Sequence, residues 1–183
     1  FNFILEIISI EKQLLDIENK FGNTSKSLDD LIKEEQLLID KSKNIGEYAQ
    51  SFSRLNYLVR QNMVAKTAKE FETYDKLLNS PLFKNPDKCY SKKAEVLYHH
   101  TRALCFSKKR DNSMRQHEFK RMIELMDKNP FLITEYPKRY LSGINNILSV
   151  EIEQAHYGTA EKLIDNFIKL KNHPAFNTTD LQL

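Results

Sequence analysis

The 183-residue chain contains four glycines, five prolines and two cysteines, and its formal net charge is +3. No two glycines lie closer than 15 residues, which excludes the glycine-rich phosphate loops of dinucleotide-binding and P-loop proteins. The same scarcity disfavours turn-rich β folds, and two cysteines are too few for a disulfide scaffold. The apolar content of 40% predicts a folded chain, and no apolar run is long enough to span a membrane.

Apolar residues recur at three- and four-residue spacing along almost the whole chain, which is typical of amphipathic α-helices. With capping residues and prolines as boundaries, the pattern predicts eight helices at about 2–20, 28–43, 46–61, 63–79, 88–109, 112–128, 137–155 and 159–171. Gly46 is expected to begin a helix, Gly158 to form a hairpin turn, and Thr178 to open a further helix. No segment shows a convincing strand pattern, so we predict an all-α fold.

Three predicted helices end at a proline-containing loop, and this recurrence indicates an internal repeat. Pro81, Pro130 and Pro174 lie 49 and 44 residues apart, and an aromatic residue follows each of them closely. Each unit is a long helix, a short turn, a second helix and a proline-marked crossover. One helical hairpin cannot bury both of its apolar faces, whereas stacked hairpins can. The repeat therefore predicts an α-solenoid of stacked antiparallel hairpins.

The predicted hairpins resemble tetratricopeptide repeats, most clearly in the segment 155–163. There a turn is followed by Tyr157 and then by Ala160, where that family packs its paired helices closely. The resemblance covers about residues 46–177, although the spacing exceeds the family's period of about 34 residues. It implies a right-handed solenoid with repeats at about 46–87, 88–136 and 137–177. Residues 1–45 form a separate N-terminal hairpin, which is a cap, an earlier repeat or a coiled hairpin.

A second resemblance concerns segments such as 138–146, which are similar to uncharacterised helical-repeat proteins of the Bacteroidetes. It implies a helical repeat and brings no known activity with it.

Residue types that carry catalysis or bind metals are present, but they form no motif. His99 and His100 are adjacent, so on a helix their side chains diverge by about 100° and cannot chelate one ion together. We expect surface or partly packed histidines. Cys89 and Cys105 lie 16 residues apart, and we expect reduced thiols, although a nucleophilic role for Cys105 beside a histidine stays open. We predict no metal, no cofactor and no catalytic residue.

Charge is distributed unevenly along the chain. Residues 1–50 hold six basic and ten acidic side chains, whereas residues 51–183 hold 22 basic and 15 acidic ones. The segment 88–121 alone holds ten basic side chains against three acidic ones. Such a surplus could bind an anionic partner, or it could be an ordinary solvated surface. The candidate basic patch consists of Lys108, Lys109, Arg110 and Arg115.

The tetratricopeptide resemblance implies that partners bind on the concave surface that the first helices of the hairpins form. Asparagine and arginine side chains in such a groove could hold a peptide backbone or a carboxylate. Alternatively, they cap loops or face water. The candidate groove residues in the third, fifth and seventh predicted helices are Asn56, Arg60, Tyr98, Arg102, Asn145 and Asn146.

The repeated hairpins and the absence of a catalytic motif favour a non-enzymatic, cytoplasmic scaffold or adaptor that binds a protein or peptide. Binding of nucleic acid or another polyanion through the basic hairpin 88–121 is one alternative. A second alternative is a sensor or regulatory part of a larger protein, suggested by the first residue, which is not Met, and by the unfinished helix after Thr178. No membrane association is predicted.

Overall fold

A computed structural model describes residues 2–18, 27–61, 67–170 and 174–176. Within these ranges the chain forms nine α-helices and no strand. The all-α prediction is confirmed, but the predicted set of eight helices differs from the observed one. The helices are α1 (Asn2–Glu18), α2 (Leu28–Gln61), α3 (Ala68–Leu78), α4 (Pro81–Lys84), α5 (Lys92–Lys108), α6 (Asn112–Asp127), α7 (Pro130–Glu135), α8 (Pro137–Glu153) and α9 (Tyr157–Lys169). Short 3₁₀ turns cover Pro86–Lys88 and Pro174–Phe176. The helix predicted to open at Thr178 lies outside the described residues.

α2 is one continuous helix, so the predicted separation of two helices at residues 44–45 is wrong. Gly46 lies inside α2, and nothing lies within 4 Å of the position that a Cβ would take there. Glycine disfavours a helix interior, but Asn44, Tyr48 and Leu55 are buried and their packing outweighs that cost. The predicted boundary between residues 1–45 and the repeats therefore falls within α2.

The two predicted proline loops contain short helices. Pro81 and Pro130 occupy the first turns of α4 and α7, and Pro174 opens a 3₁₀ turn. Proline suits the start of a helix, where its missing N–H is not needed. Pro81 and Pro130 thus take equivalent local positions, each at the first residue of a short helix that follows α3 or α6. The aromatic residues behind them differ, since Phe83 is buried whereas Phe131 is 53% exposed.

Two hairpins, α5–α6 and α8–α9, close with the same turn. Arg110 and Ala155 adopt positive φ angles of 59° and 58°. In each turn the next backbone N–H donates to the carbonyl oxygen five residues earlier, which is the bond that ends a helix in a Schellman motif. The left-handed residue of the second turn is therefore Ala155, and Gly158, predicted to form that turn, belongs to α9. The two turns lie 45 residues apart, while the repeat and the path and hand of a solenoid stay predictions.

The long helices pack mainly on their neighbours, in the order α1, α2, α5, α6, α8 and α9. α5 is the central helix, because nine of its 17 residues are buried. The largest core joins α5, α6, α7 and α8 and includes Phe119, Met122 and Leu132. Ala160, which the tetratricopeptide resemblance places at a close helix contact, is only 4% exposed.

The substitution Gly46→Ala tests the continuity of α2. We expect it to raise the free energy of unfolding by about 0.5–1 kcal/mol, because alanine favours the helix and meets no neighbour at this position. Urea denaturation followed by far-ultraviolet circular dichroism measures the change.

Gly143→Leu is the contrasting variant, since a Cβ at Gly143 would lie 2.6 Å from Met122 Cε and 2.9 Å from Ile123 Cδ1. We expect this overpacking of α8 against α6 to cost about 1–3 kcal/mol. A destabilised Gly46→Ala variant would contradict an uninterrupted α2.

Candidate protein-interaction surface

α1 is apolar along two faces, and only one of them is covered. Ile8 and Leu15 are buried and form a small core with Leu31 and Leu38 of α2. A second row of four apolar side chains on α1 is exposed to solvent. In chain order, their exposed fractions are 73%, 40%, 55% and 49%. This row, which we call the α1 stripe, consists of Phe3, Ile7, Ile10 and Leu14.

The α1 stripe has the spacing of a coiled-coil seam. Its residues follow one another at intervals of four, three and four, which places them on one face of the helix. Contiguous exposed apolar surface of this kind marks interaction sites on soluble proteins. The start of α2 carries a similar row of exposed residues at intervals of four and seven: Leu28, Ile32 and Ile39.

Acidic side chains flank the α1 stripe. In the heptad pattern, Glu6 and Glu11 occupy the positions on either side of the seam, where charged residues select a partner helix. α1 carries four acidic residues and one basic residue, and that residue, Lys12, forms an ion pair with Glu35 of α2. The stripe is therefore an apolar seam in an acidic setting.

Two grooves border the helical hairpin that α1 and α2 form. The smaller, of about 360 Å³, is lined by apolar side chains and three lysines: Ile4, Leu38, Lys41, Tyr90, Ser91, Lys92, Lys93 and Phe131. The larger, of about 670 Å³, is lined mostly by polar and charged residues and runs along α2 beside α4. Its wall is fixed by Asn44, whose amide donates to the carbonyl of Lys88 and whose oxygen accepts the N–H of Tyr90, both at 3.0 Å.

Two of the candidate groove residues lie in the interior. Tyr98 is 4% exposed, and the guanidinium of Arg102 lies 5.3 Å from the centre of its ring. Arg102 donates to Glu118 at 2.7 Å and to the carbonyl of Phe83 at 2.8 Å. Both side chains are therefore engaged in packing α5 against α4 and α6.

The other four candidate groove residues lie on α2 and α8. Asn56 is half-buried and Arg60 exposed on α2, while Asn145 is exposed on α8. Asn146 donates to the carbonyl of Ser142 at 2.8 Å. The structure thus brings together Tyr98 and Arg102, but inside the protein and not on an open groove.

A buried ionic cluster that the sequence pattern did not reveal joins α5 to α6. Glu118 accepts from His99 Nδ1 and from Arg102 Nε, each at 2.7 Å. Burial alone would raise the pKa of Glu118, but the hydrogen bonds from His99 and Arg102 and the charge of Arg102 hold it below its usual value. Glu118 is therefore ionised at neutral pH. Because the residue is buried, its carboxylate is not accessible from solvent.

His100 joins α5 to α2 and α8. Its ring lies 4.7 Å from the ring of Phe52, and its Nδ1 accepts from Arg139 at 3.0 Å. Burial and the positive charge of Arg139 lower the pKa of His100 to about 3, so the ring is neutral. The expectation that His99 and His100 lie at the surface or are partly packed is wrong, because α5 is enclosed by other helices and both are buried.

The basic segment 88–121 is largely neutralised by acidic side chains. Seven of its ten basic residues form ion pairs, and five of their acidic partners lie outside the segment. The pairs are Lys92–Glu95, Lys93–Glu135, Arg102–Glu118, Lys109–Asp75, Arg115–Glu153, Lys120–Glu151 and Arg121–Glu124. The count along the sequence therefore overstates the positive charge of this surface.

The four residues of the candidate basic patch lie around the α5–α6 turn. Lys109 and Arg115 form ion pairs, and Lys108 is half-buried, which lowers its pKa. Arg110 is exposed at the turn. Only part of the predicted patch is thus presented to solvent as unneutralised charge.

Both cysteines are poorly placed for nucleophilic chemistry. Burial raises the pKa of Cys105 to about 12 and that of Cys89 to about 11. Since the thiolate is the nucleophile, little of it forms at neutral pH. Within the described ranges, no three His, Cys, Asp or Glu side chains converge in a way that could hold a metal ion.

None of the protein-family models, curated proteins or solved structures compared with the chain matches it. The tetratricopeptide resemblance therefore stays a prediction. The class that the structure defines is an all-α protein, with nine helices in its described residues.

Among the described helices, none combines the length and the apolar character needed to cross a bilayer.

The substitution Glu118→Gln tests the buried ionic cluster. At pH 7 we expect a loss of about 2 kcal/mol in the free energy of unfolding, because the hydrogen bonds from Arg102 and His99 lose their charged acceptor. The lowered pKa means that ionised Glu118 stabilises the fold above about pH 4.3 and that this stabilisation disappears as the pH falls further. The difference between the two proteins should therefore shrink at pH 3.

Urea denaturation at both pH values measures this difference. Glu161→Gln, on an exposed position of α9, is the matched control and should change stability by less than about 0.5 kcal/mol. An equal loss at pH 3 and pH 7 would show that the charge of Glu118 does not stabilise the fold.

Proposed function

We propose that the protein is a non-enzymatic helical scaffold that binds another protein through the α1 stripe. Exposed apolar surface carries this proposal. Of the seventeen large apolar side chains that the described residues expose, nine lie between residues 3 and 39. Scattered apolar residues are normal on a protein surface, whereas a concentration of them on one hairpin calls for a partner.

The placement of the polar residues supports a binding role over catalysis. The side chains best suited to acid–base chemistry are buried, namely His99, His100 and Glu118. They are used in hydrogen bonds between helices. The thiols of Cys89 and Cys105 are protonated at neutral pH for the reason given above. A catalytic site needs such groups at a surface that substrate can reach.

Nucleic-acid binding through the basic hairpin receives less support. Affinity for nucleic acid depends on cations that are free to replace counterions at phosphates. In this protein five of the cations of segment 88–121 pair with carboxylates from outside it. The peptide groove predicted around Tyr98 and Arg102 is also less supported, since both side chains are used inside the fold.

The substitution Ile10→Lys tests the proposed docking surface. It places a charge at the centre of the α1 stripe, where Ile10 is 55% exposed, and we expect it to weaken partner binding at least ten-fold. Affinity capture from the source cells with quantitative mass spectrometry identifies proteins that the variant loses. Titration calorimetry with the purified partner then measures the affinity.

Ser9→Lys adds the same charge at the neighbouring exposed position, outside the stripe, and should bind the partner as the wild type does. Both variants should retain the wild-type circular dichroism spectrum, because neither side chain is part of the core. Equal binding by wild type, Ile10→Lys and Ser9→Lys would remove the α1 stripe as the docking surface.

A further inference from the structure

We propose that the occupant of the α1 stripe is an amphipathic α-helix of another protein whose apolar seam is flanked by lysine or arginine. This inference rests on the proposed function and adds the chemistry of the partner. It follows from the shape of the stripe and from the charge beside it.

The shape of the α1 stripe fits a helix. From Phe3 to Leu14 the stripe spans eleven residue-to-residue steps, or about 17 Å of helix at 1.5 Å per step. Intervals of four, three and four produce the holes into which the apolar side chains of a second helix insert. An extended peptide strand would leave its backbone N–H and C=O groups unpaired on such a surface, because the backbone of α1 is already hydrogen-bonded. A partner helix of about two heptads is long enough to cover the stripe.

The acidic residues beside the α1 stripe favour basic residues at the positions that flank the apolar seam of the partner helix. Glu6 is exposed, and Glu11 lies on the other side of the seam. α1 and residues 28–43 of α2 together carry nine acidic and four basic residues. In a coiled-coil pair, residues at the flanking positions of one helix face those of the other. Basic residues in the partner would therefore be attracted, and acidic ones repelled.

Two of the three lysines of the adjoining apolar groove are already paired with carboxylates. Lys92 is paired with Glu95, and Lys93 is paired with Glu135 of α7. Both pairs lie on the groove that Ile4 borders, on one flank of the seam. Exposed Glu6 remains a charge in register with the stripe, and the acidic excess of the hairpin already counts Lys41 among its four basic residues.

The same charge disfavours two other occupants. In a parallel pair of α1 helices from two copies of this chain, Glu6 of each helix would lie opposite Glu11 of the other, which is repulsive. An anionic lipid surface would likewise be repelled by the excess of acidic residues, since peripheral membrane helices carry basic residues on their polar faces.

Three designed helical peptides of about three heptads test the partner's chemistry. They share one apolar seam and carry Lys, Gln or Glu at the flanking positions. Fluorescence anisotropy with labelled peptide and the full chain measures binding. We expect the Lys-flanked peptide to bind at least ten-fold more tightly than the Glu-flanked peptide, and this preference to shrink as salt screens the charges. Ile10→Lys should abolish the binding.

Glu6→Lys is the variant that tests the charge directly, because it should reduce the preference for the Lys-flanked peptide at least three-fold. Glu161→Lys, the same reversal on exposed α9, is its control and should leave the preference unchanged.

Three results would overturn the inference, and they separate it from the proposed function. Equal binding of the three peptides would refute the basic partner while leaving the stripe as a docking surface. Binding of no peptide, with a captured partner still lost in Ile10→Lys, would refute the helical partner alone. Sedimentation velocity that shows a dimer dissociated by Ile10→Lys would make a second copy of this chain the occupant.

Discussion

The fold depends on the enclosure of α5, a helix that carries polar side chains into the middle of the protein. A buried charge or an unpaired polar group is costly, so each of these side chains must find a partner on a neighbouring helix. Arg102 reaches Glu118 of α6 and the carbonyl of Phe83 in α4, while His100 accepts from Arg139 of α8. The requirement fixes which helices surround α5 and in which register they pack.

The same requirement explains how the polar side chains of the described interior are used. The histidines, the buried glutamate and the arginines of this region are used to hold helices together, and the ion pairs at the surface absorb much of the basic charge between residues 88 and 121. α1 stands in contrast, because a small core of Ile8, Leu15 and Leu31 attaches it and its stripe faces solvent. The exposed apolar side chains are therefore concentrated at one end of the helix order.

Much of the secondary structure is predictable from the sequence, because apolar periodicity and proline positions depend on local physics. α5, α6, α8 and α9 lie within a few residues of their predicted bounds. The continuity of α2 is not predictable from Gly46, since the packing of Tyr48 and Leu55 overrides a weak local preference. The position of the hairpin turn at Ala155 is also not predictable from the sequence. Alanine there adopts the left-handed conformation that glycine usually adopts at the end of a helix.

The candidate site is less predictable, for a physical reason. Ile4, Ile7, Ile8, Leu14 and Leu15 belong to one apolar pattern in the sequence, but only tertiary packing decides that Ile8 and Leu15 are buried while Ile7 and Leu14 are exposed. Tertiary packing also decides which charged side chains are paired. The sequence does not show that Lys109 and Arg115 form ion pairs, because their partners Asp75 and Glu153 are distant along the chain.

Native-state hydrogen exchange, resolved by residue, tests most directly whether a rigid centre built on α5 supports a loosely attached α1. Amides deep in an enclosed helix exchange only when the whole protein unfolds, whereas helices with small cores exchange through local opening. We expect the α5 amides around His99 and His100 to have the highest protection, equal to global stability, and the α1 amides to have much lower protection. Equal protection of α1 and α5, or local opening of α5, would contradict the central role of the α5 contacts.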